Sequence, residues 1–128
     1  MKIKHDLIHQ NEKRQLGLLQ ALRWRLTKSE STDLRQRILT SFITGDILNC
    51  RSERVPNNII ALLNSPNEMI RQYMARLINT FASLNHGRSY LASNLEVVKT
   101  MHVVLRGEKD DNFTRKNLLA ALQKLSLR

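Results

Sequence analysis

The segment Ser65 to Leu84, SPNEMIRQYMARLINTFASL, constrains the fold more than any other stretch of the chain. At about 100° per residue, Ile70, Tyr73, Met74, Leu77, Ile78, Phe81 and Leu84 fall on one half of a helix, and Arg71, Gln72, Arg76, Asn79 and Ser83 on the other. Ser65, Pro66 at the first helical position and Glu68 three residues after the serine form a capping-box start. The helix therefore has a wide buried face and a narrower polar strip.

The flanking chain repeats this pattern with weaker signals. Met1 to Glu12 is polar, with a weak stripe of Ile3, Leu7 and Ile8, and reads as a tail or a leading turn of helix. Lys13 to Leu26 has Leu16, Leu18, Leu19, Leu22 and Leu26 at helical spacing, and the polar break Thr27 to Asp33 offers Ser31 and Thr32 as caps for a helix over Leu34 to Thr44. Pro56 or Asn57 opens a short helix ending before Ser65. Asn85 to Gly87 reads as a turn before a short segment with Tyr90 and Leu91, and Ser93 with Glu96 repeats the capping box ahead of Leu95 to Leu105. The last helix, Asn112 to Leu127, is expected to bury Phe113, Leu118, Leu119, Leu122 and Leu125. No segment alternates apolar and polar residues for long, so the fold class is all-α.

Self-comparison turns these helices into an architecture. Ile70-Arg71-Gln72 matches Leu34-Arg35-Gln36 at an offset of 36, and an offset of 44 puts Arg71 on Arg115, Met74 on Leu118 and Phe81 on Leu125. Both offsets approach the period of about 40 residues of armadillo and HEAT units. They predict an α-solenoid of two to three repeats over residues 13–128, with units near 13–44, 46–84 and 88–127 and third helices at 34–44, Ser65 to Leu84 and 113–127.

The segments LLQALRWRLT (Leu18 to Thr27), RQYMARLINTFASL (Arg71 to Leu84), GRSYLASN (Gly87 to Asn94) and LLAALQKLSLR (Leu118 to Arg128) resemble the armadillo region of the LisH-domain-containing armadillo repeat proteins. That family carries an N-terminal LisH motif, a coiled coil and further armadillo helices, so the resemblance implies a piece of a longer array. It also implies a non-enzymatic scaffold of the centriole, basal body and cilium. The implied partner is a TOG-array microtubule-associated protein.

Composition bounds the alternatives. The chain has 128 residues, 41% of them hydrophobic and 25% charged, which is ordinary globular usage for one domain. Its net charge of +10 asks for an acidic partner, either the acidic tails of tubulin or nucleic acid. The excess is spread at +5 in each half, and aromatic residues make up 5%, which disfavours a nucleic-acid stripe with stacked bases. No apolar run reaches a membrane-spanning length and the N-terminus lacks a signal-peptide centre, so a soluble chain without membrane insertion is expected.

Catalytic patterns are missing from the sequence. The four glycines are isolated, no nucleophile sits beside a histidine in a known motif, and no cofactor or small-molecule substrate is expected. Cys50, the single cysteine, reads as a half-buried helix-end residue, and His86 and His102 as structural. His5 and His9 have helical ligand spacing without a third ligand, so no metal site is expected. The candidate sites are instead surfaces. Arg35, Arg71 and Arg115, equivalent under the two offsets, form a guanidinium ladder that either clamps a partner's carboxylates or makes contacts within the repeats. Gln72 and Asn79 share the same strip. Asn79 fits the asparagine column of peptide-binding armadillo proteins, but its counterparts Ile43 and Gln123 break that column. Trp24 between Arg23 and Arg25 either packs between repeats or meets an acidic peptide. A solenoid end also exposes apolar helix faces, so Leu16, Leu19, Trp24, Leu122 and Leu125 are candidates for self-association.

Overall fold

A computed structural model of the chain describes residues 2–28, 31–53 and 57–126. It holds seven α-helices, α1 (Lys2–His9), α2 (Glu12–Thr27), α3 (Thr32–Thr44), α4 (Glu68–Ala82), α5 (Asn85–Ala92), α6 (Leu95–Gly107) and α7 (Phe113–Leu125), with a 3-10 helix, Ile60–Asn64, between α3 and α4. No strand occurs among the described residues. The expectations at Pro56 and Leu127 fall outside them.

Asparagine starts most of these helices, because its short amide accepts the first free backbone N–H groups. Asn11, Asn67, Asn94 and Asn112 cap α2, α4, α6 and α7. This corrects both serine boxes. Ser65 precedes a proline, which favours extended backbone, and its φ of −56° and ψ of 140° place it ahead of the helix. The cap falls to Asn67, whose Oδ1 accepts from Met69 N at 2.9 Å and Ile70 N at 3.4 Å. Asn67 Nδ2 also donates to Glu12 Oε2 at 2.6 Å, so the cap of α4 is tied to the first turn of α2. Ser93 likewise serves the end of α5, donating to Tyr90 O at 2.6 Å, while Asn94 caps α6. At α3 the serine expectation is met: Ser31 Oγ accepts from Leu34 N at 3.1 Å.

The helices stack as three-helix units. α4 packs most extensively against α7 on one flank and α2 on the other; α3 lies against α5, and the 3-10 helix against α6. The adjacent third helices are therefore α2, α4 and α7. α3 opens the second unit, and the 36-residue offset had matched it to α4 only because both have the same amphipathic period. The N-terminal twelve residues hold a full two-turn helix rather than a tail. Leu7 of α1 is fully buried, and buried Gln15 of α2 donates its amide N–H to Leu7 O at 2.7 Å.

The core runs through α4, which buries Ile70, Met74, Ala75, Leu77, Ile78, Phe81 and Ala82. Phe81 stands between Phe42 of α3 and Tyr90 of α5, with ring centroids 6.4 and 5.9 Å away. The chain reverses after Phe81 so tightly that a Cβ on Gly87 would lie 2.0 Å from Phe81 O. What reads in sequence as a turn is the first turn of α5, pressed onto the end of α4. Some apolar residues expected inside are not: Phe113 is 54% exposed and Leu119 43%.

Tyr90 links the second and third units. Its hydroxyl accepts from Leu48 N at 3.0 Å and donates to Asp46 Oδ1 at 2.6 Å, and Asp46 in turn accepts from Arg51 N. Asp46 and Asn49 hold positive φ of 50° and 56°, a backbone form that Asp and Asn tolerate better than most residues. Buried Cys50 shares this pocket. Burial pushes its thiol up to about 12, offset in part by its hydrogen bond with Tyr90, and burial pushes the Tyr90 phenol up as well.

Two outcomes follow for stability. Gly87→Ala should cost about 3 kcal/mol or more by overpacking against backbone, while Gly17→Ala, whose Cβ meets nothing within 4 Å, should stabilise α2 by about 0.5–1 kcal/mol. Urea midpoints of the two variants check this, and equal effects would contradict the close packing of α5 on α4. At alkaline pH the unfolded chain releases the Cys50 proton first, near the ordinary thiol value of 9.0, and the folded chain keeps it until about 12. The folded state then binds more protons, so this group's contribution to stability is level below pH 9 and falls above it, by up to about 1.4 kcal/mol per pH unit. Cys50→Ala should flatten that decline in urea titrations, and an unchanged slope would exclude Cys50 as its source.

Candidate partner-binding face

α2, α4 and α7 lie side by side with their polar strips forming one face, and the cross-helix bonds on it are side-chain amides and cations. Asn79 Nδ2 of α4 donates to Asn117 Oδ1 of α7 at 3.0 Å, and Lys124 Nζ of α7 donates to Asn79 Oδ1 and to Ser83 Oγ, each at 2.8 Å. Asn79 thus joins the two helices. Each of the two asparagines commits one amide N–H on this face, Asn117 to Phe113 O at 2.8 Å, and among the described residues keeps its second.

Near the start of α4 and α7 the arginines turn inward. Arg71 Nε meets Glu108 Oε1 at 3.0 Å, and Arg71 Nη1 donates to Ser65 O at 2.8 Å. Arg115 Nη1 donates to Glu108 O at 3.1 Å, and Asn112 Nδ2 to Glu108 Oε2 at 2.9 Å. With Glu108 13% and Arg71 24% exposed, this partly buried, multiply bonded pair fixes the loop before α7 against α4. Two rungs of the expected guanidinium ladder are therefore spent within the fold.

The third rung stands elsewhere. Arg35 lies on α3, in a small cleft with Leu26, Thr27, Thr80, Ser83 and Leu84, and its Nε is buried without a hydrogen-bond partner. Repeat phasing explains the separation, since α3 is a first helix and meets the polar strip of α4 only near its C-terminal end, at Thr80 and Ser83, away from Arg71 and Arg115. Gln72 stays half-buried on the polar strip of α4. Among the self-association candidates, Leu19 is fully buried and out of reach of a second chain in this fold. Leu16, Leu122 and Leu125 pack half-buried against the core, and Trp24 is 42% exposed with Lys28 Nζ 4.9 Å from its ring centroid.

A different group lines the middle of the face: Arg23 of α2, Arg76, Asn79 and Thr80 of α4, and Phe113 and Asn117 of α7. Phe113 had a sequence signal. It lies five residues before Leu118, off the spacing of three and four that buries Thr114, Leu118 and Ala121, so it faces outward.

Other titratable candidates form no site. His5 and His9 lie 4.4 Å apart between ring centroids, tilted by 44°, on the exposed side of α1, and His86 and His102 are exposed rather than structural. Among the described residues, no group of three metal-binding side chains comes together, and no helix is long and apolar enough to cross a membrane. Buried Cys50, held protonated, is not a nucleophile at neutral pH.

No family model and no solved structure matches the chain. Curated proteins do. LisH domain-containing protein ARMC9 of Homo sapiens is 47% identical over 127 residues, covering 99% of this chain and 15% of that protein. The proteins of the same name from Danio rerio and Xenopus laevis are 44% and 40% identical over 99% of the chain, covering 15% and 16% of their own lengths. The chain thus spans less than a fifth of the length of the curated relatives it matches. Identity at this level along almost every residue makes the chain homologous to one segment of the larger LisH domain-containing ARMC9 proteins.

Proposed function

We propose that the chain is a segment of a non-enzymatic armadillo scaffold that holds a protein partner on the α2–α4–α7 face. One observation carries this reading: three third helices stand side by side, and the middle of their shared face is lined by cations, amides and an exposed aromatic ring, with no acidic side chain among the lining residues. Such a surface suits recognition of another chain and offers no nucleophile or base for chemistry. By resemblance to those proteins, the setting is the centriole, basal body and cilium, and the partner a TOG-array microtubule-associated protein.

The test is a binding measurement with a purified TOG-array protein, together with imaging of the tagged chain in ciliated cells. The chain should bind the protein and concentrate at the base of the cilium. Arg76→Glu with Lys116→Glu should weaken binding at least tenfold with helical content unchanged, and Arg106→Glu on α6 should not. Equal loss from the α6 change would move the binding surface off this face, and a uniform cytoplasmic signal from the unaltered chain would remove the ciliary setting.

A further inference from the structure

Two arginines on neighbouring helices of this face keep their hydrogen-bonding capacity unused. Arg23 of α2 and Arg76 of α4 line one cleft of about 340 Å3. Among the described residues, four other arginines are drawn onto internal acceptors: Arg51 onto Ile43 O, Arg71 onto Glu108 and Ser65 O, Arg88 onto Ala82 O and Arg115 onto Glu108 O. Arg23 and Arg76 make no side-chain hydrogen bond or ion pair among the described residues. Arg76 is nonetheless held in place. Its guanidinium carbon lies 5.7 Å from the ring centroid of Tyr73 on its own helix and 5.0 Å from that of Phe113 on α7. Stacking on rings engages the flat faces of a guanidinium and leaves its in-plane N–H donors for a planar acceptor.

Two unopposed cations in one cleft repel, and a carboxylate placed between them reverses the sign of that interaction while satisfying forked donors. Lys116 adds a third positive charge, its Nζ standing 5.7 Å from the Phe113 ring centroid. The half-exposed Phe113 ring gives the cleft an apolar wall, which suits a carboxylate carried on two methylenes. The second amide N–H groups of Asn79 and Asn117 are donors for the carbonyls of a chain laid across the helices. We infer that this cleft clamps glutamate side chains of an extended acidic protein segment, Arg23 and Arg76 gripping the carboxylate and Phe113 packing on its methylenes. The inference rests on the scaffold reading and specifies what the face recognises.

Fluorescence anisotropy with the whole chain tests it, using a labelled glutamate-rich peptide, the same peptide with glutamine at each glutamate, and a single-stranded oligonucleotide. The glutamate peptide should bind at least tenfold more tightly than the glutamine peptide, and the preference should shrink as salt rises. Arg23→Ala with Arg76→Ala should weaken the glutamate peptide at least tenfold, against less than twofold for Arg106→Ala. A charge swap guards against misfolding, because Arg23→Glu with Arg76→Glu should gain binding of a lysine-rich peptide that the unaltered chain ignores. Equal binding of the glutamate and glutamine peptides, or full binding by the double alanine variant, would overturn the clamp. An oligonucleotide that binds as tightly as the glutamate peptide and is lost in the same variant would overturn the assignment to a protein. If the purified TOG-array protein still binds through this face while the acidic peptide does not, the clamp alone fails; if the peptide binds and the TOG-array protein does not, the clamp stands and the proposed partner falls.

Discussion

The structure depends on covering α4 from both flanks. Its seven buried residues leave an apolar face too wide for one neighbour, so α2 closes one side and α7 the other. A 15-residue helix is marginal by itself in water, and the eight-residue helices around it are weaker still, so none of these elements has a stable partner-free state. Stability in such a stack is a sum of nearest-neighbour interfaces, and α4 takes part in the two largest. The close approach of Gly87 to Phe81 and the bonds of Tyr90 to Leu48 and Asp46 then fix how the third unit sits on the second.

The same burial shapes the polar surface. With both flanks of α4 occupied, its exposed first turn, Glu68 and Met69, and a half-buried strip of Gln72, Arg76, Asn79 and Thr80 running to exposed Ser83 stay toward water. Most of that strip is committed internally. Asn79 and Ser83 bind Lys124, and Thr80 donates to Arg76 O within its own helix. Arg76 is the charged side chain of the strip whose N–H donors stay unspent, and it is held by rings, which orient it without consuming those donors.

Helix positions and the dominance of α4 were legible in the sequence because both are written in local periodicity. Residues 68–82 announce their own buried face, and Ser31 announces the start of α3. Cap identity was less legible, since Ser65 and Asn67 both fit a helix start and the decision came from Pro66 holding Ser65 extended while Asn67 also reached Glu12 across the fold. Repeat phasing was illegible for a deeper reason. First and third helices share one amphipathic period, so an offset of 36 aligns α3 with α4 as readily as a true neighbour would. That α2 is the neighbour is decided by packing between residues more than fifty positions apart. Between the two readings of the guanidinium ladder the sequence could not choose: Arg35 stands out of line on α3, and Arg71 and Arg115 make contacts within the repeats at Glu108, an acid in a loop whose position the sequence does not reveal.

Net charge is therefore a poor guide to which cations this surface leaves unpaired. The excess of +10 is divided equally between the two halves of the sequence, yet the arginines differ sharply in what they have left to offer. A guanidinium near a carboxylate or a free helix-end carbonyl is satisfied within the fold, as at Glu108, Ser65 and Ala82. One in mid-helix has fewer such outlets, since the carbonyls around it already accept backbone N–H groups. Arg23 and Arg76 sit in the body of α2 and α4, and the helix packed beside α4 presents a ring rather than an acid. Their availability thus follows from helix geometry and from the residue types across the interface, independently of how many basic residues the chain carries.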